Sequence, residues 1–331
     1  MGAFTLFTVT VDTEEEWDWG AGYPTENLSL RNIAELPRLH EACSRHGAAV
    51  TYFANYAVLS NPAARRTLLD LHRQPGVEIG MHIHPWNTPP LTRRGQVPPR
   101  ETFLHNLPPD QVRAKLEAVY GLFEQHGLRP TSFRGGRFST SEVVQDFLRD
   151  KGFVADASVL PFSTWEDDGA PDYRDRRPEP TRRPPRRPGE PGFWELPSTM
   201  GYSRRPFGLW HRLFEAVANT PLRHLRLIGL AERLGLVRKA WLSFESPLGR
   251  PMLPFLRLLR KQRLPCVDFM LHSSSLLPGG SGFTRTSADR DRLFASIDEV
   301  LGTVRTWSDF QPATVTEVAN HLEKQHACSR N

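Results

Sequence analysis

Short apolar runs alternate with amphipathic stretches along almost the whole chain. Residues 4–11 (FTLFTVTV) mix β-branched and aromatic residues in the manner of a strand. Residues 32–46 instead carry apolar positions at helical spacing and stop at Gly47, as a helix does. The pair of patterns then repeats: 49–54 reads as a strand, 63–73 as a helix and 77–84 as a strand. Residues 111–126 place Leu116, Val119, Tyr120 and Phe123 at helical spacing and end at Gly127. Further strands are expected at 131–134, 153–157, 194–197, 240–244 and 267–271, with a helix over 141–151. Ser287 is positioned to cap a helix through Val304, whose Leu293, Phe294, Ile297, Val300 and Leu301 form one stripe. A short strand near 313–316 and a final helix close the chain. Alternation on this scale predicts a parallel sheet, and seven or eight strands favour closure. The expected class is α/β, a distorted (β/α)7-type barrel, as one domain over 1–331.

Composition agrees with a packed domain. Hydrophobic residues make up 39% of the 331, enough for a substantial core. No run approaches the roughly 18 apolar residues of a membrane span, so no transmembrane segment is expected. The start, MGAFTLFTVTVDTEEEW, lacks a basic segment followed by a long apolar stretch, which predicts a cytoplasmic protein. Cys43, Cys266 and Cys328 are far apart and odd in number, so they read as free thiols.

Charge changes the picture at one place. The formal net charge is +5, and residues 174–187 (RDRRPEPTRRPPRR) hold seven arginines against Asp175 and Glu179. This segment alone matches the net charge. Its prolines block a helix, so 168–192 is expected to be an exposed, flexible insert. It is the sole argument for a nucleic-acid partner, and none is expected.

Candidate chemistry gathers where strands end, the rim that carries active sites in barrels of this kind. The first strand ends in VDTEEEW, and Asp12 and Glu14, two apart, share a side. The third ends in EIGMHIHPW, where His82 and His84 face one way and Gly80 leaves room for close approach. Another ends at Arg134 in SFRGGRF, and a late apolar run delivers His272 in FMLHSSS. Two imidazoles and a carboxylate form a ligand set for Zn²⁺ or a similar ion. A second carboxylate can take a proton from water, and a remote histidine can return one to a leaving group. Glu15, Glu16 and Asp18 read as solvated loop carboxylates.

These motifs resemble, in order, those of the polysaccharide deacetylase family, also called carbohydrate esterase family 4 or the NodB-homology domain. Supporting stretches are TYFANYAVL, SFRGGRFS, DASVLPF, WELPST and LHSSSLLPGGSGF. The resemblance implies a metal-dependent hydrolase that removes an N-acetyl group from an amino sugar. It implies Asp12 as catalytic base, His82 as a metal ligand, Arg134 as partner of the base, and His272 as general acid. Three motifs depart from the family pattern. Thr13 stands where a metal-binding aspartate is common, Trp86 where the second metal histidine lies, and Ser274 and Ser275 near a frequent glutamate. Glu14 and His84 are the replacements that same-side spacing offers. Trp17, Trp19, Trp86 and Trp165 are candidates for stacking on a sugar, Tyr52 for substrate contact, and a backbone N–H near Tyr52 or Phe53 for the oxyanion. The alternatives are a hydrolase of another C–N amide bond (a cyclic imide, ureide or acylated metabolite) and a catalytically lapsed carbohydrate-binding protein.

Overall fold

The computed structural model describes residues 4–18, 20–164, 168–186, 190, 192–220, 227–245 and 252–329. Its strands are β1 (Thr5–Thr13), β2 (Val50–Ala54), β3 (Val77–Ile83), β4 (Ser132–Gly135), β5 (Ala155–Asp156), β6 (Thr181–Arg183), β7 (Phe193–Glu195), β8 (Met200–Tyr202), β9 (Lys239–Trp241), β10 (Cys266–His272) and β11 (Phe310–Pro312). The helices are α1 (Leu36–Ser44), α2 (Tyr56–Ser60), α3 (Pro62–His72), α4 (Pro109–Gln125), α5 (Glu142–Asp150), α6 (Phe207–Ala218), α7 (Leu227–Arg233), α8 (Met252–Gln262), α9 (Ser287–Arg305) and α10 (Val315–Cys328).

The main sheet runs in the order β10-β1-β2-β3-β4-β5-β7-β6, with β11 beside β1. Neighbours from β10 through β7 pair in parallel, and only β6 on β7 is antiparallel. The curled sheet, with helices around it, is the distorted (β/α) barrel that the alternation predicted. Its open side is spanned irregularly: Leu242 N–H donates to Thr199, Met270 N–H to Leu242, and Ser198 N–H to Val159. No helix among the described residues is long and apolar enough to cross a membrane.

Alternation decides what each strand buries where. Val9 and Val11 of β1 turn outward into the helix-packed core with Leu36, Leu39 and Leu68, while Thr8, Thr10 and Asp12 alternate with them and turn inward. The two longest helical stripes were legible, although the α9 cap sits one residue earlier than expected. Thr286, not Ser287, accepts from Asp289 N–H, and Asp289 reciprocates in a capping box.

The arginine-rich insert differs from a plain loop. Its middle forms β6, and most of its cations among the described residues are committed to acidic partners. Arg182 grips Glu323 of α10 through two contacts at 2.7 and 2.8 Å, Arg176 and Arg183 meet Glu195, and Arg186 meets Asp146 and Asp150. Its positive charge is spent largely inside the fold. All three cysteines are free thiols: Cys43 is buried, Cys266 half-buried and Cys328 exposed.

Candidate active site

Strand register brings the predicted residues together. Asp12 lies beside His272 across β1 and β10, and beside Phe53 across β1 and β2. His82 lies beside Arg134 across β3 and β4. All six expected residues, Asp12, Glu14, His82, His84, Arg134 and His272, therefore converge at the C-terminal rim of the sheet.

Arg134 sits at the bottom, 1% exposed. Its Nη1 donates to Asp12 Oδ1 and Thr10 Oγ1, each at 2.9 Å, and its Nη2 to Asp268 Oδ2 at 2.9 Å. Nε donates to the Ala157 carbonyl, and the guanidinium lies 4.7 Å from the centre of the Phe53 ring. Burial works against its charge, but Asp12 and Asp268 outweigh burial and hold the proton more tightly than usual. The Phe53 ring fills the space that Gly80 leaves, because a Cβ at Gly80 would come within 2.5 Å of it.

Glu14, His82 and His84 form a compact buried triad. Glu14 Oε2 lies 2.9 Å from His84 Nε2 and 3.4 Å from His82 Nε2, and the two Nε2 atoms are 3.2 Å apart. Each ring is fixed from behind. His82 Nδ1 lies 2.7 Å from the Arg134 carbonyl, which has no hydrogen to give, so Nδ1 carries the proton. His84 Nδ1 lies 2.7 Å from Glu15 Oε1. Nε2 of each ring is therefore the nitrogen left to ligate, and both point at one spot beside Glu14. Glu14 Oε1 is buried without a hydrogen-bond partner among the described residues. Burial raises the Glu14 carboxyl, but the His84 and His272 imidazoles hold it well below the ordinary range. Burial likewise disfavours charge on His84, yet Glu15 and Glu14 push it up to about 10. Glu14 and Glu15 thus favour positive charge at the spot where three ligand atoms converge within 4.8 Å. These residues fit a divalent cation in donor type and number.

His272 completes the rim from the other side. Burial pulls its imidazole down, but Glu245, Glu14 and Asp12 push it up to about 9. Its Nδ1 lies 2.7 Å from Glu245 Oε2, and its Nε2 lies 3.8 Å from Asp12 Oδ2. Glu245 Oε1 also accepts from the His272 backbone and from Ser275 Oγ.

Above these groups opens a cleft of about 370 Å³. Asp12, Glu14, His84 and His272 form its floor, and Trp17, Tyr23, Trp86, Phe138, Trp241 and Phe283 its walls, with Arg137 at the side. Trp86 stacks on His84 at 4.0 Å between ring centres, so the departure from a second histidine there supplies an aromatic cover. Trp17 packs edge-on against both. Trp19 and Trp165 lie outside the described residues.

Several expectations need correction. Tyr52 is buried in the helix-packed core and does not reach the cleft, because Phe53, its neighbour, takes the inward position. β2 is paired on both sides, so the Tyr52 and Phe53 backbone lies inside ladders and not open to the cleft. Glu15 and Glu16 are buried, not solvated. Glu15 receives Asn55 and Asn87 besides His84, and Glu16 receives the Asn32 N–H and Arg31. Glu15 is held below the usual carboxylate range because His84 and Asn55 outweigh its burial. Glu245 and Asp268 were not anticipated; each is the carboxylate behind a predicted site residue. Asp268 had a signal, as a lone acid in the apolar run CVDFMLH at the parity of inward positions.

Replacing Glu15 by Gln is expected to weaken divalent-metal affinity by about 10- to 100-fold, since a less basic acceptor then orients His84. Titration with zinc against a competing chelator reads this directly, and unchanged affinity would remove His84 from the ligand set.

No family model matches the chain, and no curated protein matches it in sequence. Solved structures do. A Mycobacterium smegmatis protein assigned as a polysaccharide deacetylase gives a TM-score of 0.54 at 14% identity, over 98% of this chain and 92% of that one. A Pseudomonas aeruginosa PAO1 protein assigned in the same way gives 0.54 at 14%, over 97% and 91%. The chain has the polysaccharide deacetylase fold. A 4-alpha-glucanotransferase from Thermococcus litoralis shares it too, with a TM-score of 0.53 at 11% identity over 96% of this chain and 40% of that one. The deacetylase fold therefore does not choose the reaction, and the side chains in the cleft must.

Proposed function

We propose that the protein is a metal-dependent hydrolase that removes the N-acetyl group from an amino sugar and releases acetate. The observation that carries this reading is the shared rim: a three-donor cluster and an Asp12–His272 pair face one aromatic-walled cleft. Glu14, His82 and His84 would hold a divalent ion, with zinc suited to two imidazoles and a carboxylate. When bound, it would supply Lewis-acid polarisation of the amide carbonyl and a more acidic water.

The chain's own groups do the rest. Arg134 anchors Asp12 by Oδ1, leaving Oδ2 on the His272 side to take a proton from water. The water oxygen bonds to the acetyl carbon and the C–N bond breaks. His272 gives its Nε2 proton to the departing nitrogen, while Glu245 at Nδ1 fixes the ring and stabilises its charged form. Trp86, Trp17 and Tyr23 offer ring faces and edges to a sugar.

Metal analysis of the purified protein, paired with acetate release from a panel of N-acetylated amino sugars, tests the reading. The expected result is about one divalent ion per chain and a rate that chelation lowers by about 100-fold or more and zinc restores. Neither metal nor acetate across a broad panel would overturn it.

The acid role adds a pH prediction. Activity is expected to fall on the alkaline side as His272 loses its proton. Glu245→Gln removes the largest influence raising that imidazole, so the alkaline limb should move to lower pH by about one unit or more. A limb that stays in place in the pH profile of kcat would assign the acid to another group.

A further inference from the structure

The net charge drew attention to the insert at 174–187, but a second basic block is hidden by acids elsewhere. Residues 203–239 contain eight arginines and lysines against Glu215 and Glu232. They leave β8, form α6 and α7, and return in β9, whose last residue is Trp241 of the cleft wall. Unlike most of the insert's described arginines, Arg204, Arg205, Arg212 and Arg233 are exposed and make no ion pair among the described residues. The acid on α6, Glu215, faces Arg174.

The same segment carries most of the exposed large apolar residues of the described chain. Leu209 and Leu213 lie one turn apart on α6 and are 43% and 47% exposed. Leu230, Leu234 and Leu236 on and after α7 reach 52%, 64% and 49%. One side of α6 is anchored inward by Phe207 and His211, so the leucines belong to a face that the fold itself leaves uncovered. Leucines interleaved with unpaired arginines match an interface whose surface is anionic and whose interior is hydrocarbon. A nucleic acid would use the cations and leave the leucines in water.

We propose that this α6–α7 face seats the protein on an anionic lipid bilayer, and that the substrate is an N-acylated amino sugar carried on a lipid at that surface. The second half rests on the deacetylase reading; the first does not. The geometry links the two. At the base of the segment is a second cleft of about 360 Å³, lined by Arg204, Arg238, Lys239, Trp241 and Phe255. Trp241 also walls the active cleft. Cations beside an aromatic wall suit a phosphate joining sugar to lipid, with the sugar reaching past Trp241 and the lipid remaining on the leucine side.

Co-sedimentation with vesicles of phosphatidylglycerol and phosphatidylcholine, against pure phosphatidylcholine, is the test. The wild-type protein is expected to bind the anionic vesicles at least about tenfold better, and to release in about 0.5 M salt. The variant Leu209→Ser/Leu213→Ser/Leu230→Ser/Leu234→Ser should lose about tenfold or more of that binding. It should keep the wild-type melting temperature and acetate release from a soluble sugar. Arg205→Glu/Arg212→Glu/Arg233→Glu, a second variant at exposed positions outside both clefts, should lose binding to anionic vesicles alone. No vesicle binding, binding indifferent to both variants, or a wild-type dimer that the serine variant dissociates would each overturn the proposal. In the last case a second copy covers the face. If vesicles bind but no N-acetylated sugar releases acetate, the docking surface stands and the deacetylase reading fails. If acetate is released but vesicles do not bind, the surface alone is lost.

Discussion

Asp12→Asn is expected to lower kcat for deacetylation by about 10²- to 10⁴-fold, the usual contribution of a positioned general base. The amide is close in size to the carboxylate and still accepts from Arg134 through its carbonyl oxygen. It cannot take a proton from water. Arg134 also keeps Asp268 at 2.9 Å, so the buried guanidinium retains a charged partner and the variant should fold. Metal content should be unchanged, because the ligand cluster is built from Glu14, His82 and His84. Steady-state acetate release, read together with metal content and a thermal melt, separates this loss from misfolding. A variant with kcat within about tenfold of wild type would move the base away from Asp12.

Arg134→Met has the larger effect on stability. The guanidinium is the cation between Asp12 and Asp268, and all three groups are buried. Removing one member of a buried ionic set leaves uncompensated charge and costs about 3–5 kcal/mol. Urea unfolding at neutral pH should show a loss of that order. The pH dependence carries a sign. Burial raises the Asp268 carboxyl, and Arg134 is the largest influence lowering it. Burial already holds the Asp268 carboxyl above its unfolded value near about 3.9, and without Arg134 it rises further. The folded variant then binds protons that the unfolded chain does not, so its stability should be greatest at or below that value and fall as pH rises through the elevated pKa. A variant whose deficit does not shrink on acidification would show that the loss is one of packing around Phe53 and not of charge.

How much of this was readable in advance depended on whether one strand could speak for itself. Asp12, His82, Arg134 and His272 each close an apolar run, and the rule that strand ends carry the chemistry was enough to place them on one rim. Glu14 and His84 followed from two-residue spacing, which survives even where a strand is fading into a loop. Tyr52 failed for the same reason read the wrong way. Its parity with Val50 sends it outward, and only the pairing of Asp12 with Phe53 fixes which side of β2 faces in. Glu15 was misjudged because a run of three acids looks solvated in one dimension. Its three partners, Asn55, His84 and Asn87, come from elements that the chain reaches only later. Glu245 is legible only with His272 beside it, 27 residues away. The residues that meet on the rim were thus visible where one residue type ended one strand. The carboxylates that orient those residues depend on long-range closure, which spacing does not encode.

The aromatic cover on His84 gives the protein a built-in optical signal. Trp86 stacks on that imidazole at 4.0 Å, Trp17 lies 5.6 Å from Trp86, and Tyr23 lies 5.3 Å from it. Indole emission responds to charge and to quenching groups at such distances. A change at His84, whether loss of its proton or arrival of an ion with unpaired electrons, should alter fluorescence from the cleft without any added dye. Occupancy could then be followed in stopped flow on the intact protein, with Trp86→Phe identifying how much of the signal belongs to that ring.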